Sequence, residues 1–226
     1  MLKIVHLIKR RPGCQPEAFQ QRWLQGHGPI SARLPGLRRY VQSHALLQGY
    51  RKGELLFDGI SEFWFDDATS LSRAQSSPAW ADMRADLQGF LDMERWIEMP
   101  VDLHVIKDGM VPNPAVKNIE FVTHRPGMDR AAFRLHWKDI HGPIAARIPV
   151  LHRYEQNHLA MPAYQGDAAP PFDGLAITWF ASTADMKAGT QTEEYRLTRA
   201  DEPHFLPDGH LPIIITREHE ISPARG

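Results

Sequence analysis

The sequence is poor in cysteine and in long apolar runs. Cys14 is the single cysteine among 226 residues, so no disulfide can form within the chain. No apolar run reaches the roughly 18 residues that a membrane-spanning helix needs. The first apolar run, residues 4–8, is interrupted by His6 and is too short for the core of a signal peptide. We therefore expect a soluble, cytoplasmic protein with no membrane partner.

The sequence also lacks an excess of charge of either sign. It contains 26 lysines and arginines and 27 aspartates and glutamates, which are well mixed and give a net charge of −1. Without an extended positive surface the chain has little to offer a phosphate backbone, so we expect no nucleic-acid partner. Histidine, in contrast, is abundant at 12 residues. Its ordinary pKa of about 6.5 suits proton transfer near neutral pH.

The main feature of the chain is an internal repeat. Residues 19–44 return as residues 133–158 with 14 of 26 positions identical, in the pattern FxxxWxxxHGPIxARxPxLxRYxQxH. A repeat whose period is about half the chain indicates two similar folding units, each large enough to bury its own core. We therefore predict one repeat over residues 1–108, a linker at 109–114 and a second repeat over 115–222.

Each repeat reads as the element order βαββαβ. The first strands are predicted at residues 3–9 and 117–123, before an Arg-Pro-Gly loop. Phenylalanine and tryptophan four residues apart then indicate helices at 16–25 and 129–139, which we expect to break at His-Gly-Pro. The RYxQxH strands follow, then third strands at 58–65 and 173–180. In each repeat a single long helix precedes the fourth strand. In the first repeat this helix is predicted from 68 to about 92 and the strand at about 101–106. In the second repeat the helix is predicted from 182 to about 200 and the strand at 214–221.

This order predicts an α+β fold of two tandem ferredoxin-like βαββαβ units. Two helices on one face of a four-stranded sheet leave the other face bare. Two such units can cover each other by packing sheet to sheet as an intrachain dimeric α+β barrel. We expect the tyrosines and histidines of the RYxQxH strands to point into the space between the sheets.

The helical FxxxWxxxHGPI segment, the Arg-x-Pro-x-Leu turn, the RYxQxH strand and the later Phe-Asp-Gly resemble the EthD-like group of dimeric α+β barrel proteins. Most members are half this length and dimerise, so the chain resembles a fused dimer. Relatives include methylmuconolactone isomerase-like enzymes, aromatic polyketide cyclases and decarboxylases. The resemblance implies acid/base chemistry without a cofactor on small, often ring-shaped molecules.

Candidate catalytic residues come from the repeated segment. His27 and His141 lie at the expected helix ends, where an imidazole can move a proton, or can merely cap the helix. A tyrosine and a histidine four residues apart on one face of a strand suit enolate chemistry, with the phenol donating to an oxyanion, or form a structural polar network. These pairs are Tyr40 with His44 and Tyr154 with His158.

Residues that differ between the repeats are candidates for binding the substrate. His6 aligns with Glu120, and Glu62 aligns with Ile177, so we expect His6, His44 and Glu62 to cluster in one repeat and Glu120 with His158 in the other. Arg33 and Arg147 suit a substrate carboxylate or a surface salt bridge. Trp64 and Trp179 are expected to form walls of a pocket. No metal-binding spacing supports a metal site, so none is predicted.

These observations favour an isomerase, cyclase or decarboxylase (lyase) that acts without an organic cofactor. Its expected partner is a small cyclic or aromatic carbonyl compound of catabolism or secondary metabolism. Two alternatives stay open: a non-catalytic binding or accessory protein, and a monooxygenase of the same barrel superfamily, either cofactor-free or haem-linked. The active repeat is not fixed by the sequence, and the protein is expected to be a monomeric pseudo-dimer or a homodimer.

Overall fold

A computed structural model describes residues 1–165 and 170–224 of the chain. The strands of the first repeat are β1 (Leu2–Ile8), β2 (Leu37–Ala45), β3 (Gly59–Phe65) and β4 (Ile97–Asp108). Those of the second repeat are β5 (Val116–Val122), β6 (Arg153–Leu159), β7 (Gly174–Phe180) and β8 (Ile213–Ile221). They are hydrogen-bonded in the order β1-β3-β2-β8-β5-β7-β6-β4 of a closed barrel. The predicted α+β barrel class is confirmed.

The helices also recur in matching order. The first repeat contains α1 (Pro16–Gln21), α2 (Gly28–Ser31), α3 (Ala68–Gln75) and α4 (Pro78–Leu87). The second contains α5 (Arg130–Leu135), α6 (Gly142–Ala145), α7 (Thr183–Gly189) and α8 (Glu193–Asp201). None of the helices in the described part of the chain combines the length and the apolar character needed to cross a membrane.

Two compact units make up the chain. Unit 1 consists of residues 1–101 and 216–226, and unit 2 consists of residues 102–215. The unit boundaries therefore fall inside β4 and β8, whereas the predicted repeats end after these strands. Within unit 1, β3 lies between β1 and β2, and the other edge of β2 pairs with the end of β8.

The expected helix break at His-Gly-Pro is wrong. Arg22–His27 and His136–His141 are π-helical segments that join α1 to α2 and α5 to α6 without interruption. Gly28 keeps right-handed helical angles, and its N–H bonds the carbonyl of Trp23 five residues earlier. This wider turn gives Pro29 space, because a proline ring clashes with the carbonyl four residues before it in a regular α-helix.

The later helix is also divided, where one long helix was predicted. In the first repeat Ser77 accepts a hydrogen bond from the backbone N–H of Trp80 and Pro78 opens α4. In the second repeat Thr192 caps α8 in the same way. Because a serine or threonine cap satisfies free N–H groups at a helix start, it begins a new helix at that point.

The tyrosine and histidine face of β2 packs against the helices of its own unit, which corrects the expected direction. The His44 ring stacks on Trp23 at 4.2 Å between centroids, and Nε2 of Gln42 donates to the Trp23 carbonyl at 3.1 Å. In unit 2 His158 stacks on Trp137 at the same 4.2 Å. Alternation along a strand predicts which residues share a face, but not which face the helices cover.

Candidate functional site

Unit 2 contains a cavity of about 230 Å³ between its sheet and the helices α6, α7 and α8. Its apolar walls are Ala145, Ile148, Leu151, Phe180 and Met186. Its polar lining includes Asn118, Glu120, His141, Tyr154, Arg199 and Glu202. A concave site with apolar walls and a few converging polar groups is the usual form of a small-molecule site.

The cavity exists because the second repeat has smaller or more polar residues at positions that the first repeat fills. Phe63 of β3 and Trp80 of α4 belong to the buried core of unit 1. Their counterparts, Thr178 and Tyr195, line the cavity. The pairs Ile4 and Asn118, Met83 and Thr198, and Leu87 and Glu202 show the same change. The filled positions of unit 1 are therefore the open positions of unit 2.

His141 is the imidazole of the cavity. It lies at the end of the π-helical segment, and its Nδ1 is 2.9 Å from Oδ2 of Asp201, at the end of α8. Burial lowers the pKa of His141, although the hydrogen bond to Asp201 works in the opposite sense. The ring is therefore neutral at pH 7, with its Nδ1 proton directed at the carboxylate and the Nε2 lone pair available as a base.

Unit 1 contains the same dyad in a closed form. Nδ1 of His27 is 2.8 Å from Oδ2 of Asp86, and Nε2 is 2.9 Å from the hydroxyl of Ser31. Burial lowers the pKa of His27 to about 4. In unit 2 the residue at the serine position is Ala145, whose methyl group has nothing to offer Nε2. Both nitrogens of His27 are thus engaged, while His141 keeps Nε2 for the cavity.

Tyr154 supplies a phenol to the same cavity. Its oxygen accepts hydrogen bonds from Nε2 of Gln156 at 2.9 Å and from Nε1 of Trp137 at 3.3 Å, so the phenol proton is left to donate elsewhere. Burial raises the pKa of Tyr154, which keeps it protonated. Its counterpart Tyr40 interacts with Ser31 and Ser61, which alanines replace in the second repeat.

Two carboxyl groups and one guanidinium complete the polar lining. Burial raises the pKa of Glu120, whose Oε1 accepts a hydrogen bond from Asn118 at 3.2 Å. Burial also raises the pKa of Glu202 to about 7, with Arg199 opposing and Glu120 adding to the shift. Nη1 of Arg199 lies 2.5 Å from Oε2 of Glu202. Near pH 7 the Glu202 carboxyl is therefore able to give a proton.

Three of the predicted site residues, His141, Tyr154 and Glu120, are brought together by this cavity. His158 shares the sheet face with Glu120 but is covered by Trp137, and its Nε2 is 3.0 Å from Oε1 of Gln156. Burial lowers the pKa of His158 to about 2. It therefore acts as a neutral part of the core.

The corresponding residues of unit 1 lie in a filled core. Burial lowers the pKa of His44 to about 3, and its Nε2 is 2.9 Å from Oε1 of Gln42. The Tyr40 ring stacks on Phe63 at 4.5 Å between centroids. Nε2 of His6 is 3.0 Å from Oε2 of Glu98. Tyr40 and His6 both pack against Phe63, and the counterparts of these three residues line the cavity of unit 2.

The predicted cluster of His6, His44 and Glu62 does not form. Glu62 pairs with Val5 across the sheet, so the two residues share the face opposite to His6. There its carboxylate lies 2.8 Å from Nζ of Lys3, and both side chains are buried. The alternation of β1 and β3 separates the groups that the sequence comparison had placed together.

The predicted walls and clamps also lie outside the cavity. Trp64 is flanked by Nζ of Lys3 at 4.7 Å and by the Arg39 guanidinium at 4.8 Å from its ring centroid. Trp179 is likewise contacted by Lys117 at 5.0 Å. The two predicted carboxylate clamps, Arg33 and Arg147, are exposed at the surface. In the structure Arg199 is the arginine that lines the cavity.

Sequence reasoning missed Asp201, Glu202, Arg199, Asn118 and Tyr195. The signal was present in the comparison of the two repeats, because α4 and α8 differ at the positions that face the sheet. Buried apolar residues of α4 correspond there to tyrosine and threonine of α8 and to Glu202, directly after it. Within the described residues, no group of three or more histidine, cysteine, aspartate or glutamate side chains is placed to hold a metal ion.

Comparison with known proteins relates the whole chain to one fold. A putative monooxygenase from Lactobacillus acidophilus is 10% identical, covers 97% of this chain and 93% of its own, and superimposes with a TM-score of 0.56. An anthrone oxidase-like protein is 8% identical at the same coverage, with a TM-score of 0.63. A putative chlorite dismutase is 11% identical, covers 98% and 96%, and gives a TM-score of 0.54. At these identities the likeness shows the fold alone.

None of the curated proteins matches the sequence. The model of the EthD domain matches it twice, at residues 11–94 and 125–208. Both matches include the His-Gly-Pro segment and the following RYxQxH strand, and together they span more than half of the chain. The chain therefore belongs to the EthD family, as a protein with two EthD domains in tandem.

Proposed function

We propose that unit 2 is an acid/base enzyme that moves a proton on a small cyclic carbonyl compound, without an organic cofactor. The observation that carries the proposal is the opposite tuning of groups around one cavity. The pKa of His141 is lowered, so this ring is a free base, while the pKa of Glu202 is raised to about 7, so this carboxyl is an acid. Titratable groups whose pKa values are pushed apart mark acid and base roles.

The reaction begins with a proton on the carbon next to a ring carbonyl. Nε2 of His141 takes this proton, and the Asp201 carboxylate stabilises the imidazolium that forms. Negative charge then develops on the carbonyl oxygen as the enolate forms. The phenol of Tyr154, whose oxygen is held by Gln156 and Trp137, donates its proton in a hydrogen bond to that oxygen.

Return of a proton to a different atom completes an isomerisation. Protonated Glu202 gives its proton to the new carbon, and His141 returns the proton that it took, through the product or solvent, to Glu202. Protons are therefore conserved over the cycle. Burial also raises the pKa of the neighbouring Glu120 carboxyl.

The size and lining of the cavity set the substrate class. A volume of about 230 Å³ lies below the range of roughly 300–1,000 Å³ that drug-sized ligands occupy, so a molecule of one ring fits. Ile148, Leu151 and Phe180 offer an apolar wall to a flat ring, and Arg199 offers hydrogen bonds to an oxygen substituent. The proposed substrate is a single-ring ketone, enone or lactone with at least one further oxygen.

Hydrogen exchange on candidate substrates tests this proposal before the natural substrate is known. The protein is incubated in D₂O with a panel of single-ring ketones, enones and lactones, and loss of the proton signal beside the carbonyl is followed by NMR. The proposal predicts exchange well above the buffer rate for at least one compound. A pure binding protein would show a ligand-dependent rise in Tm without exchange, and a monooxygenase would consume dissolved oxygen, so either outcome would reject the proposal.

A further inference from the structure

Asp201 contacts a second histidine on the side away from the cavity. Nε2 of His136 lies 3.1 Å from Oδ1 and 3.2 Å from Oδ2 of this carboxylate, while Nδ1 of His141 lies 2.9 Å from Oδ2. His136 and His141 are the first and last residues of the same π-helical segment. One carboxylate therefore joins two imidazoles that start from neighbouring turns of one helix.

The two imidazoles differ in their surroundings. His141 lines the cavity, and its side chain is 9% exposed. The side chain of His136 is 17% exposed, and its ring stacks on Phe205 at 5.0 Å between centroids. The line from His141 through Asp201 to His136 thus runs from the cavity towards the outer side of the helix.

Unit 1 has the same carboxylate with a different second partner. Asp86 accepts a hydrogen bond from Nδ1 of His27 and is paired with Nη2 of Arg22, the residue that corresponds to His136. A guanidinium does not lose its proton in proteins, so it can orient the carboxylate but cannot accept a proton from it. Only an imidazole at this position allows a proton to continue.

We propose that His136 is a positioning residue that connects the cavity base His141, through Asp201, to solvent as a proton relay. The proposal rests on the proposed function, because a relay has a role when the buried His141 takes protons from a substrate that occupies the cavity. The neutral His136 of the relay carries its proton on Nδ1, so that its Nε2 can accept one. When Nε2 of His141 gains a proton, the imidazolium that forms passes its Nδ1 proton to Asp201, Asp201 passes it to Nε2 of His136, and Nδ1 of His136 releases a proton to water. One proton enters and one leaves, and the reverse sequence restores both rings when His141 gives up its Nε2 proton.

Further charged and titratable groups lie near the two histidines of the relay. Arg199 of α8 lies near enough to lower the pKa of His141, and it is itself paired with Glu202. The ring of His204, just after α8, lies 6.0 Å from the ring of His136. His136 itself also acts on His141 in the lowering sense. Protonation of His136 therefore opposes protonation of His141, which favours one charge at a time on the relay.

Exchange of the imidazole N–H with water tests the relay without any ligand. In the full chain labelled with ¹⁵N-histidine, the Nδ1–H of His141 is compared by NMR with the Nδ1–H of His27, whose side chain is 1% exposed and which has Arg22 behind its carboxylate. We expect His141 to exchange faster by on the order of tenfold or more.

Variants that exchange the second partner of each carboxylate, His136 for Asp201 and Arg22 for Asp86, sharpen the test. His136→Arg should slow the His141 exchange to the rate of His27, and His136→Gln should do the same without adding a charge. Arg22→His should speed the exchange of His27. Equal rates for the two histidines, or rates that none of the three variants changes, would overturn the relay.

The same NMR spectra and Tm values report whether each variant is folded, and Arg22→His keeps the test decisive if both changes at His136 unfold unit 2. Because no substrate is present, this result is separate from that of the proposed reaction. A working relay with no hydrogen exchange on any carbonyl compound would reject the proposed function alone, whereas catalysis without faster exchange at His141 would reject the relay alone.

Discussion

Nδ1 of His141 lies 2.9 Å from the carboxylate of Asp201, and the same pair recurs in unit 1 as His27 and Asp86 at 2.8 Å. The geometry of the dyad is thus common to both EthD domains. What differs is the space in front of the imidazole, which is an open cavity in one unit and a packed core in the other. Each residue of unit 2 therefore has a matched control in the same chain.

Asp201→Asn should reduce hydrogen exchange on the best carbonyl compound of the panel by on the order of 10²-fold, because an amide neither fixes the tautomer of His141 nor stabilises its imidazolium. The rate is measured by NMR in D₂O. Asp86→Asn, the matched change in unit 1, should leave the rate within about twofold, because His27 takes no part in the proposed reaction. Similar losses from both variants would show that the dyads are structural.

Ala145→Ser should give His141 the hydroxyl partner that Ser31 gives His27 at 2.9 Å. A net hydrogen bond is worth about 1 kcal/mol, so the substrate would meet a competitor that lowers turnover about fivefold. Steady-state kinetics should show the effect mainly in kcat. Ala145→Gly, which adds no hydroxyl, serves as the control, and an unchanged rate in Ala145→Ser would argue against Nε2 as the base.

Thr178→Phe should fill the cavity, because phenylalanine at the matching position of unit 1 stacks on Tyr40 at 4.5 Å. We expect a folded protein whose Tm no longer rises with any cyclic ligand. The reverse change, Phe63→Thr, should destabilise the folded state by about 3 kcal/mol or more through a new void, with no loss of activity. Ligand binding that survives in Thr178→Phe would place the site elsewhere.

Glu202→Gln should remove a pH dependence of stability. The pKa of Glu202 is raised from 4.5 to about 7 in the folded protein. The contribution of its proton to the free energy of unfolding is therefore complete below about pH 4.5 and is lost as the pH rises through 7. The shift corresponds to at most on the order of 3 kcal/mol.

Chemical denaturation at pH 5 and pH 8 measures this contribution. The wild-type protein should lose more stability between these values than Glu202→Gln, while the pKa of Glu120, raised in the same direction, acts in both proteins. Parallel losses in the two proteins would mean that Glu202 has an ordinary pKa in the folded state.

The fold could be predicted from the sequence because the repeat contains backbone signals as well as side chains. The element order βαββαβ and the tandem arrangement follow from strands, glycines and prolines at matching offsets. The continuous helix through Gly28 could not be predicted, because a π-helical turn is a compromise between proline and helix packing that shows no local signal. The division of the later helix before α4 did have a local signal, since Ser77 followed by Pro78 is a strong helix start.

The candidate site could be predicted only in part. His141, Tyr154 and Glu120 were recognised by residue type, but their common location was not, because a two-residue period does not state which sheet face the helices cover. The cavity arises because some side chains of the second repeat are smaller than their counterparts in the first, as Thr178 is smaller than Phe63. Such a difference becomes visible once both the strand and the helix positions that face it are compared.

We propose that the catalytic base is His141 and not its counterpart in unit 1, His27. The most direct test compares hydrogen exchange on the best carbonyl compound for His141→Gln and His27→Gln. We expect the rate to fall by on the order of 10²-fold or more in His141→Gln and to stay within about twofold in His27→Gln, with both proteins folded. An unchanged rate in His141→Gln, or an equal loss in both, would contradict it.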